Sequence, residues 1–133
     1  MRVTYRSATV KEYWESRWIE IPSDEAMSNE IIYPLKYALG AVSSKRERIL
    51  EAGCGAGRIL RYFHDRGYDI TGIDFVDIAI QKLRRACPAI KAEVGNIMRL
   101  DFPDSYFDTV LAFGLYHNIE HGLEKAILET MRI

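Results

Sequence analysis

The chain has 133 residues, of which 48% are hydrophobic and 28% are charged, and its formal net charge is −1. This is an ordinary composition for a globular domain, and a chain of this length can bury a core without disulfides or metals. The balanced charge argues against a dedicated nucleic-acid-binding protein, which would carry a strong positive field.

The N-terminal third is helical in pattern and rich in aromatic residues. A helix is predicted over residues 10–18, where Trp14 and Trp18 share one face because they lie four positions apart. A second helix is predicted to begin with Ser23 as its N-cap and to end near Gly40. Its inward-facing side chains are predicted to be Ile31, Leu35, Ala38 and Leu39.

Beyond a polar connector at residues 43–47, the pattern alternates between strands and helices. Strands are predicted at 48–52, 68–74, 89–94 and 107–113. Helices are predicted at 57–66, 77–86 and 122–133. Asp77 is the predicted cap of the middle helix, and Pro88 lies just past its end. Strands separated by helices form right-handed βαβ units, so the fold class is α/β with a parallel sheet.

The residues that carry chemistry lie where the first strand turns into a helix, in the run Glu51-Ala52-Gly53-Cys54-Gly55-Ala56-Gly57. Glycines at such a turn permit positive φ and leave room for a ligand to approach the backbone. The helix that follows presents unpaired N–H groups to the ligand. In an open parallel sheet, ligands bind at this carboxyl end of the strands.

Two cofactor classes use a turn of this kind. A dinucleotide site requires G-x-G-x-x-G, but here Arg58 occupies the third glycine position. Glu51 would also repel a pyrophosphate, whereas it suits a ligand that carries a cationic amino group. A nicotinamide-dependent oxidoreductase is therefore the disfavoured alternative.

The run from Ile49 to Gly57 resembles the first motif of class I, Rossmann-like S-adenosylmethionine-dependent methyltransferases. Three further matches follow in the order and spacing of that family, and together they cover residues 48–121. The resemblance implies that S-adenosylmethionine binds at Glu51, Gly53, Cys54, Gly55, Gly57, Asp74, Phe75, Asn96, Ile97 and Phe113, and that S-adenosylhomocysteine is the product.

The resemblance gives these positions separate roles. Asp74 ends the second strand and would bind both ribose hydroxyls, because a carboxylate accepts two hydrogen bonds from a vicinal diol. Asn96, where the family usually has Asp, would accept the adenine amino group or serve only as a turn residue. Phe75 would stack on adenine or simply pack. Phe113 begins the loop beside the methionine part of the cofactor.

The family's sheet has seven strands in the order 3-2-1-4-5-7-6, and this chain supplies the first four. We therefore expect one methyltransferase-like domain over residues 1–133, with residues 1–46 as a helical lid and residues 47–133 as the cofactor-binding half. The exposed edge of strand four predicts either a truncated chain or a partner such as a homodimer. A catalytically silent cofactor-binding module that needs a partner chain is the second alternative.

The implied reaction is in-line transfer of a methyl group to an acceptor, with no catalytic residue assigned. Residues 113–116 lack the Asn-Pro-Pro-Tyr motif typical of enzymes that methylate adenine nitrogens, which favours a small-molecule acceptor. His117 and His121 lie four apart but have no third ligand nearby, so no metal is expected. Cys54 and Cys87 are predicted to be buried and unpaired. No signal peptide or membrane span is expected, and a cytoplasmic location is the default.

Overall fold

The computed structural model describes residues 10–20 and 26–133. Within these ranges the chain forms five α-helices, four β-strands and one short 3₁₀ helix. In chain order they are α1 (Val10–Glu20), α2 (Leu35–Ala41), β1 (Arg48–Ala52), α3 (Arg58–Asp65), β2 (Asp69–Asp74), α4 (Asp77–Ala86), β3 (Lys91–Val94), β4 (Thr109–Ala112), the 3₁₀ helix (Tyr116–Asn118) and α5 (Leu123–Arg132).

The four strands form one parallel sheet in the order β3-β2-β1-β4, which confirms the order implied by the family resemblance. In the register of the sheet, Ala52 lies opposite Ile73 of β2 and Ala112 of β4, and Asp74 lies opposite Val94 of β3. All four strands therefore end at the same edge. The residues that directly follow these strands therefore lie at that edge, where ligands bind in open parallel sheets.

Helices cover both faces of the sheet, as expected for parallel strands. Because successive side chains in a strand point to opposite faces, Ile49 packs with α2, α3 and α4, while Leu50 packs with α5. Both side chains are fully buried. The predicted α/β class, with a layer of helices on each side, is confirmed.

The prediction of the second helix is wrong over its first part. Residues 26–34 form turns and irregular backbone, and only Leu35–Ala41 is helical; Ser23 lies outside the described residues. Pro34 explains the difference, because proline disfavours helical backbone at the preceding residue and has no N–H to donate. Ile31, predicted to face inward, is 81% exposed, whereas Leu35 and Ala38 are fully buried as predicted.

The bounds of β1 and α4 match the prediction, and the other predicted strands and helices of residues 48–133 are present but slightly shorter. Asp77 is not the cap of α4: Val76 holds that position, and the Asp77 carboxylate accepts a hydrogen bond from Gln81 Nε2 at 2.9 Å. Cys54 is buried as predicted, but Cys87 is only half-buried; both are free thiols.

The last turn of α5 fastens the segment that leads into β4. The Arg132 guanidinium donates to the carbonyl oxygens of Leu100 (3.0 Å) and Phe102 (2.8 Å) and to Asp104 Oδ1 (2.7 Å). Glu129 accepts from the backbone N–H of Leu100 at 2.7 Å and also pairs with Arg132. These bonds fix the path of the chain on its way into β4.

Candidate functional site

The glycine turn after β1 is held against the end of β2 by backbone hydrogen bonds. The N–H groups of Gly53 and Cys54 both donate to the Ile73 carbonyl oxygen, at 2.8 and 2.9 Å. The Gly55 N–H donates to Asp74 Oδ2 at 2.9 Å. The glycine turn and the Asp74 carboxylate at the end of β2 are therefore joined by hydrogen bonds, so two of the predicted motifs lie side by side.

Two glycines of the turn have different physical reasons for lacking a side chain. Gly55 has φ 51°, and a Cβ there would lie 2.6 Å from the Trp18 ring, which covers this part of the turn. Gly57 has φ 81°, and a Cβ there would lie 2.7 Å from Leu83 in α4. Gly57 therefore allows close packing of α3 against α4, a role different from the ligand approach that the motif suggests.

Asp74 is a buried carboxylate, only 7% exposed, at the carboxyl end of β2. Its two oxygens accept one backbone N–H each, from Gly55 and from Val76, both at 2.9 Å. Burial raises the pKa of Asp74, and these N–H donors partly offset that effect. Each oxygen keeps further acceptor capacity, because an ionised carboxylate has about four acceptor positions.

Glu51 is a second buried carboxylate, 5% exposed, and it points from β1 into the same region. Its Oε2 atom has no hydrogen-bond partner within the described part of the chain. Burial raises the pKa of Glu51 to about 8; the Leu60 backbone N–H acts in the opposite direction, and the charge of Asp74 raises it further. A buried, unpartnered carboxylate is costly, and a cationic ligand group would remove that cost.

The loop after β3 carries Asn96 and Ile97. Asn96 is exposed, and its Oδ1 accepts the Met98 backbone N–H at 2.9 Å, so the residue does act in a turn. Ile97 is buried beside it. At the end of β4, Phe113 is half-buried and its ring meets the Tyr33 ring edge-to-face at 5.7 Å.

A cavity of about 560 Å³ opens at this edge of the sheet, and every residue predicted to bind the cofactor lines it. The predicted residues on its walls are Glu51, Gly53, Cys54, Gly55, Gly57, Asp74, Phe75, Asn96, Ile97 and Phe113. A volume of this size is typical of a small-molecule site. The structure therefore brings the four separate sequence motifs to one place.

The predicted lid helix also reaches the cavity. Trp14 and Trp18 of α1 both line it, and their rings stack at 6.4 Å, as their spacing predicted. The Lys82 ammonium in α4 donates to the carbonyl oxygens of Trp18 and Ile19, the latter at 3.0 Å, and so holds the end of α1. Helix α1 therefore lies where a lid over the cavity would lie. Its role as a lid stays a prediction.

Several wall residues were missed by sequence reasoning. Met27 and Pro34 come from the segment that was predicted to be helical, and Leu115 and Ile119 come from the loop after β4. No local motif marks these apolar residues, because their position depends on tertiary contacts. The Met27 N–H, for example, donates to the Arg58 carbonyl oxygen at 3.1 Å and so docks its segment at the start of α3. His121 lines the rim as well, whereas His117 contacts Asn118.

A model of the methyltransferase domain family matches residues 49–133. The chain belongs to this family. Its relatives include an uncharacterized methyltransferase of Schizosaccharomyces pombe, 35% identical over 77 residues, which are 55% of this chain and 53% of that protein. A demethylmenaquinone methyltransferase of Renibacterium salmoninarum is 32% identical over 97 residues, covering 72% of this chain and 39% of that protein.

Two solved structures share the fold of this chain. A TehB-like S-adenosylmethionine-dependent methyltransferase from Corynebacterium glutamicum superposes with a TM-score of 0.65 at 27% identity, covering 92% of this chain and 65% of that one. A protein studied for the conversion of a disulfide into a thioacetal in echinomycin biosynthesis gives a TM-score of 0.72 at 24% identity, over 92% and 55% of the two chains. This methyltransferase-family chain spans about half the length of the curated relatives it matches first. None of the helices in its described ranges is long and apolar enough to cross a membrane.

Proposed function

We propose that this chain binds S-adenosylmethionine in the cavity at the carboxyl edge of the sheet and takes part in methyl transfer to a small-molecule acceptor. The observation that carries the proposal is the buried pair Glu51 and Asp74 beside the glycine turn. Glu51 offers an oxygen that has no partner among residues 10–20 and 26–133, and Asp74 offers two oxygens that can each accept a further hydrogen bond.

These two carboxylates fit different parts of the cofactor. The methionine end of S-adenosylmethionine carries an ammonium group, which would satisfy the unpartnered Oε2 of Glu51 and offset its burial. The ribose carries two neighbouring hydroxyl groups, which would donate to Asp74. Asp74 would bind the ribose of a dinucleotide as well, so it does not separate the two cofactors. Glu51 does not suit a pyrophosphate, and together with the glycine spacing it disfavours the nicotinamide alternative.

Three further predicted residues, Phe75, Asn96 and Ile97, would hold the adenine. Ile97 is buried and Phe75 is half-buried, and both line the cavity, so they offer apolar surface to a flat ring. Asn96 Oδ1 accepts the Met98 N–H but has a second lone pair that would accept the adenine amino group. The turn role and the binding role of Asn96 are therefore compatible.

When bound, S-adenosylmethionine supplies a methyl group that its sulfonium centre has already activated for transfer. The protein then needs only to position the acceptor and to exclude water. Trp18 over Gly55, and Leu115, 3.2 Å from the place of a Gly53 Cβ, close the space above the turn. We assign no general base.

Two observations favour a small molecule as the acceptor. The cavity is a concave space of about 560 Å³, which suits the cofactor together with a compact second molecule better than a macromolecular chain. One relative is named for demethylmenaquinone, a small-molecule acceptor. The chain's balanced charge adds no reason to expect a nucleic acid.

Calorimetric titration with S-adenosylhomocysteine and, separately, with NAD tests the proposal. We expect S-adenosylhomocysteine to bind and NAD not to bind. Asp74→Ala should cost about 1.5–3 kcal/mol of affinity, as is typical for hydrogen bonds to a charged acceptor. Asp77→Ala is the matched control, because Asp77 is an exposed acid nearby whose carboxylate bonds only to its own helix in the hydrogen bonds of the described residues.

Loss of binding only in the Asp74 variant, with both variants folded, would support the site. Equal affinity of the two variants would remove Asp74 from it. Binding of NAD in place of S-adenosylhomocysteine would overturn the proposal as a whole.

A further inference from the structure

The walls of the cavity differ in character from one side to the other. The carboxylates Glu51 and Asp74 lie at the ends of β1 and β2. Four apolar residues also line the cavity, Met27, Pro34, Leu115 and Ile119, and we call them the apolar wall. The loop after β4 adds the polar or charged residues Asn118, Glu120 and His121. An apolar part of a bound molecule would lie against the apolar wall, because that removes apolar surface from water.

The apolar wall continues onto the surface of the protein. Pro34 lines the cavity, and the preceding Tyr33 packs its ring on Phe113, which also lines the cavity. Around Tyr33 lie three more apolar or aromatic side chains, each at least half exposed. We call this surface, made of Ile31, Ile32, Tyr33 and Tyr37, the outer patch.

The outer patch offers apolar contact and little charge. Residues 31–35 contain no ionisable group other than the Tyr33 hydroxyl, and the Glu30 carboxylate is engaged by the Tyr62 hydroxyl. The Lys36 ammonium lies 5.9 Å from the centre of the Tyr37 ring, at the border of the patch. An exposed apolar surface that is continuous with a binding cavity marks a ligand groove.

We infer that the methyl acceptor carries an apolar chain that leaves the cavity across the outer patch. This inference rests on the proposed function, because it assigns the S-adenosylmethionine end of the cavity to the cofactor. It adds the class of the acceptor and the surface that selects it. The reacting end would lie between Phe113 and the cofactor, and the apolar part would lie along Tyr33 and Ile32.

A series of 4-alkylphenols tests the inference, because these molecules are uncharged at pH 7 and differ only in the length of the alkyl chain. Their binding to the 133-residue chain is measured by calorimetry with S-adenosylhomocysteine at saturation. If each added CH₂ is about half buried on the patch, affinity should rise roughly twofold per CH₂, or about 16-fold from 4-ethylphenol to 4-hexylphenol.

Ile32→Ser should flatten the dependence on chain length and leave the affinity for S-adenosylhomocysteine unchanged. Val94→Ser is the matched control, since Val94 in β3 is a branched aliphatic residue of the same exposure as Ile32, 50%, outside the cavity walls. The control should keep the full dependence. The unchanged S-adenosylhomocysteine affinity also shows that each variant is folded.

The outcomes separate the two proposals. If S-adenosylhomocysteine itself does not bind, the proposed function fails. If it binds but the affinity for 4-alkylphenols does not change with alkyl length, only the present inference is overturned. Binding to neutral phosphatidylcholine vesicles that Ile32→Ser abolishes would instead identify a lipid surface as the occupant of the patch, and would overturn it too.

Discussion

Replacing Glu51 by Gln should stabilise the ligand-free protein and weaken the binding of S-adenosylhomocysteine. The Glu51 side chain is buried, its Oε2 has no partner in the described structure, and its pKa is raised from 4.5 to about 8. Between these two values the folded protein holds a proton that the unfolded chain has released. Stability therefore falls as pH rises from 4.5 to about 8 and is constant above that.

The size of the effect follows from the same two values. At pH 7 the cost of folding with Glu51 buried is about 3 kcal/mol, at 1.36 kcal/mol for each pH unit above 4.5. A neutral glutamine of the same shape removes this cost. For a domain of this size the melting temperature should rise by up to about 10 °C at pH 7 and change little at pH 4.5.

Binding should respond in the opposite direction. At pH 7 a group with a pKa of about 8 is mostly protonated, and a ligand ammonium beside Glu51 would expel that proton. Calorimetry in buffers of different ionisation enthalpy should therefore show release of almost one proton per S-adenosylhomocysteine. Glu51→Gln should release none and should bind about 10- to 100-fold more weakly, as for loss of a charged hydrogen-bond partner.

Each measurement has a result that contradicts the reasoning. A variant with unchanged melting temperature across this pH range would show that Glu51 is not a destabilising buried acid. A variant that binds S-adenosylhomocysteine as tightly as the original chain, with the same proton release, would remove Glu51 from the ligand site.

Three further predictions concern the parts of the fold around the site. If α1 is a lid, the fluorescence of Trp14 and Trp18 should change as S-adenosylhomocysteine binds. Unchanged fluorescence in a titration where calorimetry detects binding would refute the lid role. Arg132→Ala should lower stability by about 1–3 kcal/mol, because several carbonyl oxygens lose their charged donor, and thermal unfolding measures it. The exposed apolar residues of α5, which include Ile127 and Met131, predict a homodimer. Light scattering should show a dimer that Ile127→Asp dissociates, and a monodisperse monomer of the original chain would contradict the prediction.

That the candidate residues meet at one cavity could be predicted from the sequence, because most of their geometry is local. A strand of five residues, a glycine turn and a helix form one short unit, and the strand register places Asp74 beside the turn without further information. The same holds for the order of the four strands. The alternation of buried strands with helices leaves few arrangements of a parallel sheet.

The segment of residues 26–34 could not be predicted in this way. Its apolar residues fit a helical spacing, but Pro34 interrupts the helix and tertiary bonds fix the remainder. Met27 is docked on Arg58, and Glu30 is docked on the Tyr62 hydroxyl, more than 30 residues away. The segment that encloses the cavity was therefore the part that the sequence pattern described least well.

The two buried carboxylates connect the stability of the fold with its proposed use. Glu51 and Asp74 both have raised pKa values because burial disfavours their charges, and the charge of Asp74 adds to the effect on Glu51. Asp74 is partly compensated by two backbone N–H groups, one of them from Gly55, so this carboxylate has hydrogen-bond partners in the empty fold. Glu51 accepts from the Leu60 backbone N–H but leaves its second oxygen, Oε2, buried and without a partner in the described residues, at a cost to the empty fold. The ammonium group of the proposed cofactor would account for that arrangement.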